Sequence, residues 1–106
     1  MTTFDDREHA FEAHFAFEQE LEFKVHARRD RLVGLWAGGL MGLEDGELET
    51  YILSLVRADL REPGDEDVYQ KVLTDLAAKN VDIQPHAVRE HLDQCLAQAR
   101  ADVGAN

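Results

Sequence analysis

Three side chains whose types could bind a metal or transfer protons, Glu18, Glu22 and His26, lie four residues apart. On a helix this spacing places them on one face, and carboxylates with a histidine are common acid–base and metal-binding groups. One helix face supplies at most three ligands, however, and the sequence has no further Cys/His cluster or HExxH-type spacing to complete a site. We therefore interpret the three residues as a solvated face and predict no metal site.

The sequence also lacks the other common motifs of catalysis. The glycines of residues 38–42 match neither a GxGxxG motif nor a P-loop with its lysine. The acidic run at residues 65–67 lacks the ligand pattern of an EF-hand loop, and we interpret it as a helix cap. Cys95, the only cysteine, has the helical spacing of a small core residue, and Ser54, the only serine, has no surrounding motif. We predict that the protein is not an enzyme.

The composition is strongly acidic for a chain of 106 residues, with 22 Asp and Glu against 11 Lys and Arg and a formal net charge of −11. Such a charge repels nucleic-acid phosphates and anionic membranes, and no apolar run approaches the ~20 residues that span a bilayer. We therefore expect no nucleic-acid partner and no direct membrane insertion. The first residues lack the basic and apolar regions of a signal peptide, which favours a cytoplasmic location.

Hydrophobic periodicity predicts four helices and no strand. The first follows a capping signature at Thr3 and Asp6 and runs to about Ala37. The second starts near residue 45 and ends before Pro63, the third starts within residues 64–67 and stops at Asn80, and the fourth starts at residues 82–85. Since the connections are only a few residues long, we predict an all-α, antiparallel four-helix bundle formed by one domain, residues 1–106.

Each predicted helix has one apolar face that should form the core. The first helix is expected to bury Trp36 at the centre of the bundle, and the second should have Tyr51 at its margin. In chain order, the predicted core positions are Val25, Leu32, Leu35, Trp36 and Leu40; Leu48, Ile52, Leu55, Val56 and Leu60; Val68, Val72, Leu73 and Leu76; and Val88, Leu92, Cys95, Leu96, Ala99 and Val103.

The first helix is predicted to be longer than the bundle needs. At 1.5 Å per residue it would span about 50 Å, against roughly 25 to 30 Å for each of the others. Its first half should therefore protrude, although it carries an apolar stripe of Phe4, Phe11 and Phe15. Each of these rings is worth ~1.5 to 3 kcal/mol when buried. The residues alone leave two alternatives open, docking on another protein or folding back onto the core.

Four segments carry a resemblance to a known family: TTFDDRE at residues 2–8, ARR at 27–29, LWA at 35–37 and EPGDEDV at 62–68. They resemble the zeta subunit family of bacterial F-type ATP synthases, from the first residue to about Ala78 and more weakly through the last helix. The resemblance implies a four-helix inhibitor of ATP hydrolysis. Its N-terminal helix would insert between catalytic alpha and beta subunits near the central stalk, and ATP synthesis would be affected much less.

The resemblance also implies which residues meet the partner. It assigns inhibition to about residues 1–17 and the bundle to about residues 18–106. Phe4, Phe11 and Phe15 would be apolar anchors. The full set of expected partner contacts is Thr3, Phe4, Asp5, Asp6, Arg7, Glu8, His9, Phe11, His14 and Phe15.

The partners that the resemblance implies are the alpha, beta and central-stalk subunits of the catalytic head, which would hold the protein at the periphery of the inner membrane. We expect a monomer when the protein is free. The resemblance further implies a weak association with adenine nucleotide, but no motif in the sequence would hold one. We therefore predict no cofactor.

Other functions remain alternatives to inhibition of the synthase. A helical adaptor could bind a different regulatory protein through the same phenylalanine stripe, and a member of the family could retain the fold with weak or lost inhibition. An enzyme could use the face formed by Glu18, Glu22 and His26. Affinity purification from native cells would distinguish the adaptor from the synthase inhibitor. Metal analysis of the purified protein would test the enzyme alternative.

His9 and His14 flank Phe11 on the expected inhibitory segment, which leads to a prediction on pH. With an unperturbed pKa of about 6.5, both histidines gain charge between pH 8 and pH 6. Relatives often carry basic residues here, which implies an acidic groove, so protonation should strengthen docking by about 1 to 3 kcal/mol. We expect inhibition to rise as pH falls. The measurement compares inhibition by wild type and by His9→Arg/His14→Arg at pH 6 and pH 8. An identical pH dependence of the two proteins would contradict the prediction.

Overall fold

A computed structural model describes the backbone of residues 3–61 and 64–104 and the side chains of residues 17–61 and 64–104. Within these ranges the chain forms four helices and no strand: α1 (Thr3–Leu40), α2 (Asp45–Arg61), α3 (Glu66–Ala78) and α4 (Pro85–Gly104). The predicted all-α class and the number of helices are confirmed.

Local signals in the sequence determine where the helices end. Gly42 follows α1 with φ of 77°, and Asn80 follows α3 with φ of 58°. In both cases the next N–H, of Leu43 or Val81, donates to a carbonyl of the last helical turn at 2.9 Å, as in a Schellman motif. Pro85 is the first residue of α4, a position where its missing N–H leaves no intrahelical bond unmade. The predicted stop at Asn80 is confirmed.

One hydrophobic core joins all four helices. α1 contacts each of the other three helices, and α3 also contacts α2 and α4. Partly buried side chains, including those of Trp36, Tyr51 and Cys95, pack around this centre. The fully buried cluster at the centre consists of Val33, Ala37, Leu55, Val68, Val72, Leu76, Val88 and Leu92.

The core face of α1 differs from the predicted one. Val25 is buried as expected, but Leu35 and Leu40 are exposed, and Leu32 and Trp36 are only partly buried. Because α2 and α4 both pack against α1, the space there favours small or β-branched side chains over leucine. The buried stripe, at steps of four residues, is Val25, Arg29, Val33 and Ala37.

The predicted faces of the other three helices are largely confirmed. The prediction that Leu60 is buried is wrong, since 64% of its surface is exposed. Ala58 is buried on α2 instead. The buried positions that were predicted are Ile52, Leu55, Val68, Val72, Leu76, Val88, Leu92 and Ala99. Those that are only partly buried are Leu48, Val56, Leu73, Cys95, Leu96 and Val103.

Two glycines let α1 and α2 approach closely. Gly34 and Gly38 are both buried inside α1. A Cβ on Gly34 would lie 2.7 Å from Cγ1 of Ile52 and 3.2 Å from its Cα, and one on Gly38 would collide with the side chain of Leu48. Glycine therefore allows near-contact between the two helices, which any side chain would prevent.

We expect Gly34→Ala to destabilise the fold by about 1 to 3 kcal/mol, because the backbone of α2 must move to admit the methyl group. Gly39 is the matched control, since it lies in the same helix but a Cβ there would meet nothing within 4 Å. Gly39→Ala should stabilise by about 0.5 to 1 kcal/mol through helix propensity alone. Urea unfolding of the two variants is the measurement, and an equal gain in both would contradict the close approach.

Candidate protein-interaction site

The predicted partner contacts all fall in the first part of α1, and their side chains lie outside those that the structure describes. They therefore remain predictions. The residues concerned are Thr3, Phe4, Asp5, Asp6, Arg7, Glu8, His9, Phe11, His14 and Phe15.

The described side chains that follow belong to a stretch of α1 that contributes nothing to the core. Phe17 is 58% exposed and Phe23 is 56% exposed. Of residues 17–24 only Leu21 is partly covered, and it forms a shallow groove with Phe17, Glu20 and Lys24. The first buried side chain in the described part of α1 is Val25. Large apolar groups thus face solvent just before the helix enters the core.

Ion pairs attach this part of α1 to the end of α4. Arg100 donates from Nη1 to Oε1 of Glu22 at 2.6 Å, and Arg28 donates from Nε to Oδ2 of Asp102 at 3.0 Å. The hydrogen bond from Arg100 holds the pKa of Glu22 below its usual range. Exposed pairs of this kind contribute about 0 to 1 kcal/mol each, so they orient α1 more than they stabilise the fold.

The predicted solvated face of Glu18, Glu22 and His26 has a structural role that the sequence did not indicate. Nε2 of His26 lies 3.5 Å from Oε2 of Glu22, and Glu22 is also bonded to Arg100 on α4. The face is thus part of a contact between helices. Among residues with described side chains, no group of three or more His, Cys, Asp or Glu is placed to hold a metal ion.

A buried charged cluster lies directly behind these ion pairs. Arg29 and Asp30 are both 0% exposed. The Arg29 guanidinium donates from Nε to Oδ1 of Asp30 at 2.8 Å and from Nη1 to Oδ1 of Asp65 at 2.8 Å, and its Nη2 lies 3.5 Å from Oδ1 of Asp59. One side chain of α1 therefore reaches a carboxylate on α2 and another just before α3.

Asp65 corrects the interpretation of the acidic run as a helix cap. It does occupy the N-cap position of α3, but it makes no capping hydrogen bond. Burial pushes the pKa of Asp65 upward, yet the hydrogen bond and charge of Arg29 outweigh it and hold that pKa below its usual range. The carboxylate bonds to Arg29 because a buried guanidinium is a stronger donor than a backbone N–H at the helix start.

Trp36 was predicted to lie at the centre of the core, but it does not. It is partly buried, and its ring stacks on the ring of His91 with centroids 4.0 Å apart and planes inclined by 14°. The stacked pair joins α1 to α4 at the edge of the core.

Sequence reasoning missed both the charged cluster and the exposed Phe23. Charged side chains are rarely buried, so Arg29 was not among the predicted core positions. Its position was nevertheless a signal, since Arg29 lies four residues after Val25 and four before Val33, both of which are buried. The partners at Asp59 and Asp65 are 30 and 36 residues away along the chain, and no local pattern identifies them.

We expect Arg29→Ala to destabilise the fold by about 3 to 5 kcal/mol, because it leaves buried carboxylates without their counter-charge. The control is Arg31→Ala, which removes an exposed pair with Glu49 at 2.9 Å and should cost less than about 1 kcal/mol. Thermal and urea unfolding provide the comparison. Similar losses in the two variants would show that the Arg29 cluster contributes no more than a surface pair.

One known protein family is similar to nearly the whole chain. A family model described as ATPase inhibitor subunit zeta matches residues 1–102. The match therefore includes the first part of α1 and nearly all of α4. No curated protein matches the sequence significantly. Within the described residues, no helix is long and apolar enough to cross a membrane.

Proposed function

Because the chain belongs to the ATPase inhibitor subunit zeta family, we propose that it inhibits ATP hydrolysis by the F-type ATP synthase through insertion of the first part of α1. The segment of about residues 1–17 would enter between catalytic alpha and beta subunits near the central stalk. ATP synthesis would be affected much less. The observation that carries the proposal is that the family match begins at the first residue of the chain.

The proposal requires that α1 have two parts with different roles. Its described side chains from residue 17 to residue 24 are not buried, whereas from Val25 onward the helix supplies the core stripe. From Val25 back to Thr3, a straight α-helix would extend roughly 33 Å. In the proposed arrangement this length protrudes from an antiparallel four-helix bundle, and residues 18–106 act as its carrier.

The order of contacts along the helices supports the antiparallel arrangement. On α1, Arg29 meets Asp59 near the end of α2, whereas Gly34 lies against Ile52 in the middle of α2. The same holds for α4, where Glu22 pairs with Arg100 and Trp36, later in α1, stacks on His91, earlier in α4. This order of contacts is the one that antiparallel packing of both neighbouring helices against α1 requires.

Recognition would follow the helix-in-groove mode, in which apolar anchors on one face enter a complementary groove. Phe4, Phe11 and Phe15 would supply the anchors. Polar contacts would come from Thr3, Asp5, Asp6, Arg7, Glu8, His9 and His14. Ion pairs and the buried cluster hold α1 on the carrier before binding, so less orientational freedom is lost when the helix docks.

We propose a regulatory role without catalysis, with the free protein as a monomer that associates with the catalytic head of the synthase. The inhibitor family supports this role. The alternative of an adaptor for another regulatory protein would use the same phenylalanine stripe. Reproducible absence of ATP synthase subunits from an affinity purification would favour the adaptor.

The direct test adds the full chain, or residues 18–106 alone, to the cognate enzyme and measures hydrolysis and synthesis separately. We expect the full chain to inhibit hydrolysis and the truncated chain to have no effect. The truncated chain should still unfold cooperatively, because the described core begins at Val25. Circular dichroism with thermal melting checks this. Full inhibition by residues 18–106 would exclude the N-terminal segment as the inhibitor.

Substitution of single phenylalanines tests the boundary of the segment. Loss of an anchor ring worth ~1.5 to 3 kcal/mol should raise the half-inhibitory concentration of Phe11→Ala by roughly 10- to 150-fold. Phe23→Ala is the control, since Phe23 is exposed on the same helix but outside the segment. It should inhibit like wild type. Equal losses in the two variants would extend the docking surface beyond residue 17.

A further inference from the structure

We infer that Asp30 on α1 and Asp59 on α2 form a proton-binding site in which the two carboxyl groups share one proton, and that occupancy of this site controls how tightly α1 is held against α2. The inference does not depend on the proposed function. It rests on the arrangement of the buried cluster, which no step of the inhibitory proposal uses.

The first observation is an excess of carboxylates around one cation. Arg29 faces Asp30, Asp59 and Asp65, at distances of 2.8, 3.5 and 2.8 Å. Three ionised carboxylates beside one guanidinium would leave two net negative charges in a region where Arg29 and Asp30 have no exposed surface. Such a charge is costly in the interior, and groups in this position bind protons to reduce it.

The second observation is a hydrogen bond that only a proton can complete. Oδ2 of Asp30 is buried and has no hydrogen-bond partner. The carboxyl of Asp59 is its neighbour, because both groups contact the Arg29 guanidinium, Asp30 at 2.8 Å from Nε and Asp59 at 3.5 Å from Nη2. Two ionised carboxylates have acceptors only, so neither can satisfy the other. A proton on either group supplies the missing donor and removes the repulsion between them, as in other pairs of carboxyl groups that share a site.

The groups that face the site come from all four helices or their ends. From α1, Nδ1 of His26 lies 3.8 Å from Oδ2 of Asp59 and 3.5 Å from Nη2 of Arg29. Asp65, just before α3, is held ionised by Arg29. On the α4 side, the charge of Arg89 lowers the pKa of Asp65, and the charge of Asp65 raises the pKa of Arg100. The charge of Arg29 opposes the rise that burial causes in the pKa of the Cys95 thiol. Arg29 makes its second short bond to Asp65, which leaves Asp30 and Asp59 to share the proton.

The direction of the pH response follows from burial. Burial and the hydrogen bond with Asp59 outweigh the attraction of Arg29 and raise the pKa of Asp30 to about 8, against about 3.9 in an unfolded chain. Between these values the folded state holds a proton that the unfolded state has lost. Stability should therefore be greatest at the acidic side of this window, fall as pH rises through it, and level off above about pH 8.

Other carboxyl groups do not obscure this window. The pKa values of Glu22, Asp65, Glu66 and Asp102 are lowered by their partners, so their contribution is lost only as pH falls below about 4 to 5. Between pH 5 and 8, the shared proton makes a contribution to the pH dependence of stability that substitution of Asp30 alone removes. Its loss places repelling charges on α1 and α2 at the point where their side chains meet, which should loosen that contact.

The first measurement follows the carboxyl carbons of the aspartates by NMR in the wild-type protein between pH 4 and 9. We expect the carboxyl carbon of Asp30 to titrate with a midpoint near pH 8 and the signal of Asp59 to shift in the same step, because the two groups share that proton. The pKa of Asp65 should lie below its usual range. Titration of both groups below pH 5 overturns the proposal, and this result needs no variant to fold.

The second measurement is urea unfolding from pH 5 to pH 8. We expect the equilibrium constant for folding of wild type to fall by up to about tenfold per pH unit. Asp30→Asn should remove most of this dependence and gain stability relative to wild type as pH rises, since an amide can donate to Asp59 at any pH. The control, Asp102→Asn, removes an exposed carboxylate paired with Arg28 and should keep the wild-type slope. Equal slopes for wild type and Asp30→Asn overturn the proposal.

Discussion

The guanidinium of Arg29 connects three parts of the chain: α1, the last part of α2 and the residue before α3. A buried arginine is tolerated only where its N–H groups have charged acceptors, so this one side chain restricts where Asp59 and Asp65 can lie. Those restrictions set the relative positions of the three helices at the end of the core nearest the exposed part of α1.

α1 combines two kinds of surface in one continuous element. After Val25 its core stripe is narrow. Gly34 brings the backbone of α2 almost into contact, and Gly38 leaves room for the side chain of Leu48. Before Val25 its described side chains include exposed phenylalanines, which a monomer gains nothing by displaying. An element that is tightly held at one end and unburied at the other is suited to present a binding segment, and the family match includes both parts.

The cluster also illustrates how an acidic protein handles charge in its interior. With 22 acidic side chains against 11 basic ones, several carboxylates must lack a basic partner, and at the surface water screens them at little cost. Inside, the same excess has to be met by a proton. The proposed sharing between Asp30 and Asp59 would make the contact between α1 and α2 sensitive to pH, independently of any histidine in the inhibitory segment.

The sequence by itself determined the features that depend on neighbouring residues. The four helices, the ends at Asn80 and Pro85, and the buried faces of α3 and α4 follow from turn chemistry and periodicity, which act over one or two turns. Only the tertiary structure decided the face of α1, where contact with two helices at once favours Val33 and Ala37 over Leu35 and Leu40. It likewise decided that Asp65 serves Arg29 instead of capping α3, and that Trp36 stacks on His91 at the edge of the core. These outcomes depend on pairs of residues 36 to 55 positions apart, and a one-dimensional pattern contains no information on which distant partner will be close enough to form a hydrogen bond or a ring contact.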